Sequence, residues 1–332
     1  MMKAILVSRD PEAIGRVYAS PRREAIESRV ELHPAVVDGL RPEFAGAMAE
    51  ADVAFSTWGM LAPTEAEIEK ALPRLRAVFY GAGSVQGFAR PFLARGVRVY
   101  SAWHANAVPV AQVAVSQILL SAKGYFRVQP LMRESAAAAR ERLAHYPGNY
   151  GLRAGLLGLG AVGSKVAESL VSHGIEVVAF DPYVSKERAE SLGVRLAGLD
   201  EIFASCMIVS NHLANNAETA GILRREHFLS MPPHSTFINT GRGPQLREGD
   251  LYDALIADPT RTALLDVLTD EGEADGNPLR ALPNCLITPH MAGPTGREVR
   301  RMGDYMIEAF DRFAAGEPCP YEVTIDMLNT LA

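Results

Sequence analysis

The sequence has few cysteines and no excess of positive charge. Its 332 residues include only three cysteines, Cys206, Cys285 and Cys319, which are far apart and form no C-x-x-C pair. Such spacing gives no disulfide framework and is typical of reduced thiols in a cytoplasmic protein. With 33 basic and 39 acidic residues the net charge is -6. The basic face that nucleic-acid binding requires is missing, so no nucleic-acid partner is predicted.

Metal-binding patterns and uninterrupted apolar runs are also lacking. The eight histidines include no H-x-x-x-H or similar pair, so no metal site is predicted. The longest apolar stretch, AVPVAQVAVSQILLSA, is interrupted by Gln112, Ser116 and Gln117. This favours a buried helix over a membrane span, and no membrane partner is predicted. The first apolar run, KAILV, is short and soon followed by charge, which indicates a strand rather than a signal peptide.

What the chain does contain is an alternation of short apolar runs and polar helical stretches. Among its first hundred residues, KAILV, ADVAFST, LRAVFY and VRVYS are predicted strands, and PTEAEIEKAL is a predicted helix. A long helix is expected from about Val108 to Phe126, and an alanine-rich one around Glu134–Ala144. A second alternation begins at Arg153. Both alternations predict α/β units, each built on a doubly wound parallel sheet.

The order of these elements predicts that the second α/β unit is inserted into the first. The last amphipathic helix, in GREVRRMGDYMIEAFDRFAAG, follows the second unit and is expected to return to the first. We therefore expect a flavodoxin-like substrate domain formed by residues 1–104 and 297–332. Residues 105–296 are expected to form the inserted domain, of Rossmann type.

The segment GLLGLGAVG, residues 155–163, has the spacing G-x-G-x-x-G at Gly158, Gly160 and Gly163. It follows an apolar strand and opens a helix, and the next strand ends at Asp181. The glycines suit a tight turn, close approach to a pyrophosphate and helix–strand packing, in that order. The acid can accept bonds from both ribose hydroxyls and repels a 2′-phosphate. The motif thus predicts NAD(H) in preference to NADP, with an ordinary glycine turn as the alternative.

Three later segments also end predicted strands, where open α/β sheets bind their ligands. FINTGRGPQL carries Arg242, LLDVLTDEG carries Asp266 and Glu271, and LITPHMAGPTG carries His290. Taken in order with the glycine loop, its acid and NHLANNAETAGIL, they resemble the D-isomer-specific 2-hydroxyacid dehydrogenase family. The resemblance covers Gly155 to Thr295, and it extends more loosely to LPRLRAVFYGAGSV and NAVPVAQ in the first domain.

The resemblance implies an enzyme that interconverts a small 2-keto acid and a D-2-hydroxy acid with NAD(H), using Arg242, Glu271 and His290. Imidazole can give or take the proton of the substrate oxygen near neutral pH. Glu271 would pair with the far ring nitrogen and favour the protonated ring, while Arg242 would hold the substrate carboxylate. Glu273 and Asp270 are alternative partners for the histidine.

Plainer roles remain open for the same residues. Arg242 also suits a phosphate clamp or a surface position, and His290 also suits a purely structural role. Asp266 suits either contact with the nicotinamide amide or capping of the following turn. The same resemblance includes a second class of function, the NAD-sensing corepressors called C-terminal binding proteins, which keep the three residues. No basic or aromatic partner-binding tail supports that adaptor alternative here.

The resemblance also implies further binding residues and a homodimer built around the long interdomain helices. Additional cofactor contacts are implied at the glycine loop and at later strand ends, namely Ala161, Val162, Pro182, His212, Thr240, Gly241, Asp266 and Gly293. In the first domain, Ala82, Gly83 and Ser84 of the GAGS segment are implied to direct N–H groups at the substrate carboxylate. A plain glycine turn is the alternative for that segment.

Overall fold

The computed structural model describes residues 1–329, in which strands and helices alternate along most of the chain. The strands are β1 (Lys3–Val7), β2 (Glu31–Val37), β3 (Val53–Ser56), β4 (Ala77–Tyr80), β5 (Arg98–Ser101), β6 (Arg153–Leu157), β7 (Glu176–Phe180), β8 (Val194–Leu196), β9 (Ile208–Asn211), β10 (Thr236–Asn239), β11 (Thr262–Leu265), β12 (Cys285–Ile287) and β13 (Glu322–Val323). The α-helices are α1 (Pro11–Val17), α2 (Arg22–Glu27), α3 (Ala45–Glu50), α4 (Glu65–Ala71), α5 (Ala89–Ala94), α6 (Trp103–Ala122), α7 (Tyr125–Glu134), α8 (Ala136–Leu143), α9 (Ala161–Ser172), α10 (Lys186–Ser191), α11 (Leu199–Ser205), α12 (Arg225–Ser230), α13 (Glu248–Ala257) and α14 (Val299–Ala315).

The chain divides into two compact units. Unit 1 consists of Met1–Ala107 and the segment that starts at Pro294, and unit 2 consists of Val108–Gly293. The predicted boundaries, after residues 104 and 296, lie three residues from these positions in each case. The last three residues of the predicted segment 297–332 lie outside the described part of the chain.

Unit 1 is built on a six-stranded sheet in the order β13-β5-β4-β3-β1-β2. Strands β1–β5 are parallel and follow the 2-1-3-4-5 order of flavodoxin-like folds, which confirms the predicted class. β13 adds an antiparallel edge beside β5. The sequence pattern missed β2, because Pro34 interrupts it and much of it is exposed. Proline is tolerated there because β2 is an edge strand.

Unit 2 is built on a seven-stranded parallel sheet in the order β12-β11-β10-β9-β6-β7-β8. The chain starts in the middle at β6, moves outward to β8, then crosses to β9 and continues to β12. This is the doubly wound Rossmann arrangement, as predicted. Leu156 and Leu157 belong to different buried clusters, because successive strand side chains point to opposite faces of the sheet. Because all seven strands are parallel, their carboxyl ends lie at the same edge of the sheet.

The helix predicted from Val108 to Phe126 is wrong at both ends. α6 begins at Trp103 and ends at Ala122, and Gly124 then adopts a left-handed conformation with φ of 67°. That conformation cannot continue a right-handed helix, so α7 forms a separate element. The predicted alanine-rich helix is α8, which is shorter than expected. By length and composition α6 could cross a membrane, but half of its most apolar window is buried inside the protein.

Candidate active site

The glycine loop joins β6 to α9, and its three glycines have different surroundings. Gly158 has φ of 93°, and a Cβ there would lie 2.6 Å from the carbonyl oxygen of His212. A Cβ on Gly163 would lie 2.0 Å from the carbonyl oxygen of Gly158. At Gly160, by contrast, a Cβ would meet nothing within 4 Å. Packing thus requires the first and third glycines, while the second leaves open space beside the backbone, as a bound pyrophosphate needs.

The start of α9 offers a row of unpaired donors beside this space. Gly160 is the N-cap, and no side chain caps the first turn. Within residues 1–329, the N–H groups of Gly160, Ala161, Val162 and Gly163 have no acceptor. They lie at the positive end of the helix dipole, which favours a bound anion. All four residues belong to the predicted cofactor set, and together they suit a phosphate.

Asp181 follows β7, and its carboxylate is turned toward the glycine loop. Its Oδ2 accepts a hydrogen bond from the N–H of Leu159 (2.7 Å), and its Oδ1 accepts from the N–H groups of Tyr183 and Val184 (2.8 and 3.1 Å). These bonds fix the carboxylate in place. A carboxylate has about four acceptor sites, so capacity remains for ribose hydroxyls. Pro182, beside it, is exposed.

The other predicted cofactor residues follow further strands at the same edge of the unit 2 sheet. His212 comes after β9, where its Nε2 lies 3.0 Å from the Ser210 hydroxyl. Burial lowers the pKa of His212 to about 4, so the ring is neutral near pH 7. Thr240 is buried after β10, and Gly293 has open space beside its Cα after β12. These residues lie at the edge of the sheet where Rossmann folds bind dinucleotides, and their contact with the cofactor stays a prediction.

A histidine–glutamate pair lies beyond the carboxyl ends of β11 and β12. His290 Nδ1 lies 2.9 Å from Oε1 and 3.1 Å from Oε2 of Glu271, and the two side chains are 45% and 50% exposed. Of the alternative partners, Asp270 instead accepts from the N–H groups of Gly272 and Glu273. Glu273 makes no ion pair with the histidine. Within the described chain, Nε2 of His290 has no partner and is free to face a ligand.

Buried Asp266 holds the loop that carries His290. Its carboxylate accepts bonds from the Thr288 hydroxyl (2.6 Å) and from the N–H groups of Met291 and Ala292 (both 2.8 Å). Its carbonyl oxygen accepts from the N–H of His290 (3.0 Å). The histidine has φ of 53°, a conformation that costs a non-glycine residue about 1–3 kcal/mol. Asp266 thus holds a loop more than twenty residues further along the chain, rather than capping the turn that directly follows it as one alternative predicted. Its contact with nicotinamide stays a prediction.

Arg242 follows β10 and carries a charge with no ion-pair partner among the described residues. The side chain is half-buried, and among the described residues the only hydrogen bond of its guanidinium runs from Nη1 to the carbonyl oxygen of Gly241 (2.8 Å). Burial lowers the pKa of Arg242, and the negative charge of Glu271 partly opposes that effect. A desolvated cation without an anion is unfavourable. This guanidinium is therefore suited to bind an anionic ligand.

Three fully buried amide side chains surround the backbone of Arg242. Gln245 Oε1 accepts from the N–H of Arg242 (3.1 Å) and from Asn211 Nδ2 (2.7 Å). Asn239 Oδ1 accepts from Asn211 Nδ2 and from the N–H of Gly241 (both 3.0 Å), and its Nδ2 donates to the carbonyl oxygen of Arg242 (3.2 Å). Sequence reasoning missed these residues. The available signal was an amide residue at the end of a predicted strand or just after it, namely Asn211 in SNHL, Asn239 in INT and Gln245 in GPQL.

In unit 1 the GAGS turn follows β4, and the Ser101 hydroxyl donates to the carbonyl oxygens of Ala82 and Gly83 (2.9 and 2.6 Å). The N–H of Ala82 donates to the carbonyl oxygen of Tyr80 (2.8 Å). The N–H groups of Gly83 and Ser84 have no acceptor in the described part of the chain. Two of the three predicted residues thus offer free, adjacent donors that could hold a carboxylate, and Ala82 does not.

A pocket of about 500 Å³ adjoins the histidine–glutamate pair. Besides Asp266, Glu271 and His290, its walls include Leu268, Ala274, Asp275, Arg280, Cys285, Ile287, Thr288 and Pro289. Across residues 1–329, no group of three or more histidine, cysteine or acidic side chains is arranged to hold a metal. The described site therefore consists of proton-transfer and anion-binding groups beside a cradle for phosphates.

Comparison with known families matches residues 115–292, just over half of the chain, to "D-isomer specific 2-hydroxyacid dehydrogenase, NAD binding domain". The chain belongs to this family. The matched segment contains the glycine loop, Asp181 and the three residues Arg242, Glu271 and His290. NAD is accordingly the cofactor of this 2-hydroxyacid dehydrogenase family member, and the cradle at Gly160 and the start of α9 fits it.

Curated relatives agree with this assignment, and a solved structure shares the fold. D-3-phosphoglycerate dehydrogenase of Mycobacterium bovis is 32% identical over 264 residues, which cover 79% of this chain and 49% of the relative. Hydroxypyruvate reductase of Blautia hydrogenotrophica is 30% identical over 168 residues, 51% of this chain and 52% of that protein. The chain spans about half the length of the curated relatives it matches. In fold, it is similar to the NAD complexed form of a D-isomer specific 2-hydroxyacid dehydrogenase from Lactobacillus delbrueckii ssp. bulgaricus, with a TM-score of 0.76, 19% identity, and coverage of 97% of this chain and 100% of the other.

Proposed function

We propose that the protein is an NAD-dependent oxidoreductase that interconverts a small 2-keto acid and a D-2-hydroxy acid. The observation that carries the proposal is the half-buried guanidinium of Arg242, which has no ion-pair partner in the described chain. It follows β10, and the His290–Glu271 pair follows the next two strands of the same sheet. A carboxylate adjoining a carbonyl supplies an anion for the arginine and a proton acceptor for the histidine.

Reduction converts a 2-keto acid, NADH and a proton into a 2-hydroxy acid and NAD. When bound, NADH supplies the hydride that adds to the carbonyl carbon. Negative charge then builds on the carbonyl oxygen, and His290 gives that oxygen the proton of its Nε2. Glu271 holds the ring through Nδ1 and stabilises the positive charge that the ring carries before transfer. Arg242 binds the carboxylate through paired N–H donors, and in oxidation His290 takes the proton back.

The experiment that tests this function is a screen of NADH consumption with keto acids graded in size. Glyoxylate, pyruvate, hydroxypyruvate and bulkier 2-keto acids are offered to the purified protein, and the configuration of the product is determined on a chiral column. We expect steady NADH oxidation with at least one acid and a product of D configuration. NADH binding without turnover of any acid would instead favour the NAD-sensing adaptor.

We also propose that the protein forms a homodimer through α6–α8 and the loop that follows them. This stretch exposes large apolar side chains that a partner copy would cover, namely Leu120, Tyr125, Met132, Leu143 and Tyr150. Sedimentation equilibrium of wild type and Leu143→Asp tests the proposal. We expect a dimer that the variant weakens, with Leu229→Asp, an exposed apolar residue on α12, as the matched control.

A further inference from the structure

The amide network around Arg242 is closed, because each of its bonding groups has a partner. Gln245 accepts two bonds through Oε1, and its Nε2 donates to the carbonyl oxygens of Leu213 and Ala214 (2.7 and 2.8 Å). Asn211 Oδ1 accepts from the N–H of Leu213 (3.2 Å). Gln245, Asn211 and Asn239 are all 0% exposed. A buried polar network that is fully satisfied rigidifies the backbone to which it bonds.

The side chain of Arg242 has little else to direct it. Its guanidinium bonds only to the carbonyl oxygen of the preceding residue, Gly241, within the described chain. Its backbone N–H and carbonyl oxygen are both bound by amides of the network. Gly241 lies so close to the network that a Cβ there would be 2.9 Å from Gln245 Oε1. The direction of the guanidinium is thus set through the backbone, where Gln245 bonds to the N–H of Arg242 and Asn239 bonds to its carbonyl oxygen.

We infer that Gln245 is a positioning residue for Arg242, which it aims at the carboxylate of the substrate. The inference rests on the proposed function for its catalytic meaning. A neutral amide is suited to this task, because it satisfies the N–H of Arg242 without offering a charge to the guanidinium. An acidic side chain at the same place would compete with the substrate for the arginine. The network therefore holds a cation in place and leaves it available.

The test compares Gln245→Leu and Asn211→Leu, each with and without Arg242→Ala. KM and kcat for the keto acid, the Kd of NADH and Tm are measured. We expect Gln245→Leu to lower kcat/KM by about 100-fold, as small misplacements of a binding group do. The Kd of NADH should stay within about twofold of wild type, and the loss should vanish in the Arg242→Ala background, because the two residues act as one unit.

Two further measurements separate positioning from mere folding. Asn211→Leu leaves the bond between Gln245 Oε1 and the N–H of Arg242 in place, so it should lower Tm as Gln245→Leu does but lower kcat/KM less. Asn284→Leu, at a buried amide that bonds to the carbonyl oxygens of Leu255 and Arg261 before β12, is the matched control and should lower Tm while retaining kcat/KM. The inference is overturned if Gln245→Leu lowers kcat/KM no more than Asn211→Leu does at the same Tm. It is also overturned if Gln245→Leu still lowers kcat/KM in the Arg242→Ala background.

Oxalate binding makes the result independent of turnover. Oxalate resembles the carboxylate–carbonyl unit of a 2-keto acid, and its affinity for the NADH complex is read from quenching of NADH fluorescence. We expect Gln245→Leu to weaken oxalate binding by about tenfold or more, and Arg242→Ala to abolish it. If no keto acid is reduced but oxalate binding falls in this way, the positioning role stands and the proposed reaction fails. Equal oxalate binding in wild type and Gln245→Leu, or none in either, overturns the positioning role.

Discussion

The arginine half and the histidine half of the site are held in opposite ways. Around Arg242, three amides with no exposed surface fix the backbone, and the guanidinium is half-buried. His290 and Glu271 instead stand about half exposed, and Asp266 holds the histidine loop from below. Charge is felt strongly where water is excluded and weakly where it is not. Arg242 therefore lowers the stability of the folded protein until an anion binds. The His290–Glu271 pair has little influence on stability, whether or not an anion is bound.

Replacement of Arg242 should have the largest effect on activity and should change stability in the opposite direction. Arg242→Met keeps the length of the side chain but removes the charge, and we expect kcat/KM for the keto acid to fall about 100- to 1,000-fold. The free energy of unfolding should rise by about 1 kcal/mol, because a desolvated, unpaired cation has been replaced by an apolar group. Steady-state kinetics and urea unfolding measure the two effects, with the Kd of NADH expected to stay unchanged.

Arg242→Lys is the control for charge without the planar fork. Arg242→Lys should recover only part of kcat/KM, because lysine cannot bind a carboxylate through two parallel bonds. It should show little of the gain in stability expected for Arg242→Met, because it keeps an unpaired charge at the same place. A drop in the unfolding free energy of Arg242→Met would contradict this account, since it would make the arginine a structural residue.

Asp266→Asn tests how the exposed half is held. One carboxylate oxygen would become an NH₂ group facing the N–H of Ala292 or Met291, and a buried donor would lose its acceptor. We expect a loss of about 1–3 kcal/mol in the unfolding free energy and a fall in kcat of about tenfold or more as His290 leaves its position. Asp270→Asn is the matched control, because an asparagine oxygen can accept the same two N–H bonds. Similar losses in both variants would remove the special role of Asp266.

Different parts of the molecule also differ in how well the sequence predicts them. The first and third glycines of the glycine loop could be predicted, because a φ of 93° at Gly158 and a carbonyl oxygen 2.0 Å from a Cβ at Gly163 exclude every residue but glycine. Such requirements appear directly as residue type and spacing. The doubly wound α/β class could be predicted because strand and helix periodicity alternate along the chain. The strand orders were not predicted, and β2 was missed.

The remaining features depend on direction, which residue type does not encode. Asp270, Glu271 and Glu273 share one acidic loop, and only the folded loop shows that Glu271 turns toward His290. Asp266 was ambiguous because its partners are backbone N–H groups, which every residue has. Gln245 was missed because its bonds join the ends of two strands far apart in sequence.

Glu271→Gln should separate activity from stability in the exposed half. The amide can still bond to Nδ1 but carries no charge, so we expect kcat to fall about 10- to 100-fold. The unfolding free energy should change by less than about 0.5 kcal/mol, because a half-exposed ion pair contributes little. Glu273→Gln, in the same loop, is the control and should keep the kcat of wild type. A Glu271→Gln enzyme with full activity would remove the acid from the site.

His212→Gln compares a half-buried imidazole with the exposed one at position 290, and its expected effect is on the pH dependence of stability. Burial holds the pKa of His212 at about 4, below its ordinary value of 6.5. Between these values the unfolded chain binds a proton that the folded protein does not, so this contribution to stability is complete above pH 6.5 and is lost as the pH falls toward 4. Urea unfolding from pH 7 to 4.5 should show wild type losing about 2 kcal/mol more than His212→Gln. His173→Gln, at an exposed histidine, should follow wild type, and an identical pH slope in His212→Gln would show that the ring at position 212 does not resist protonation.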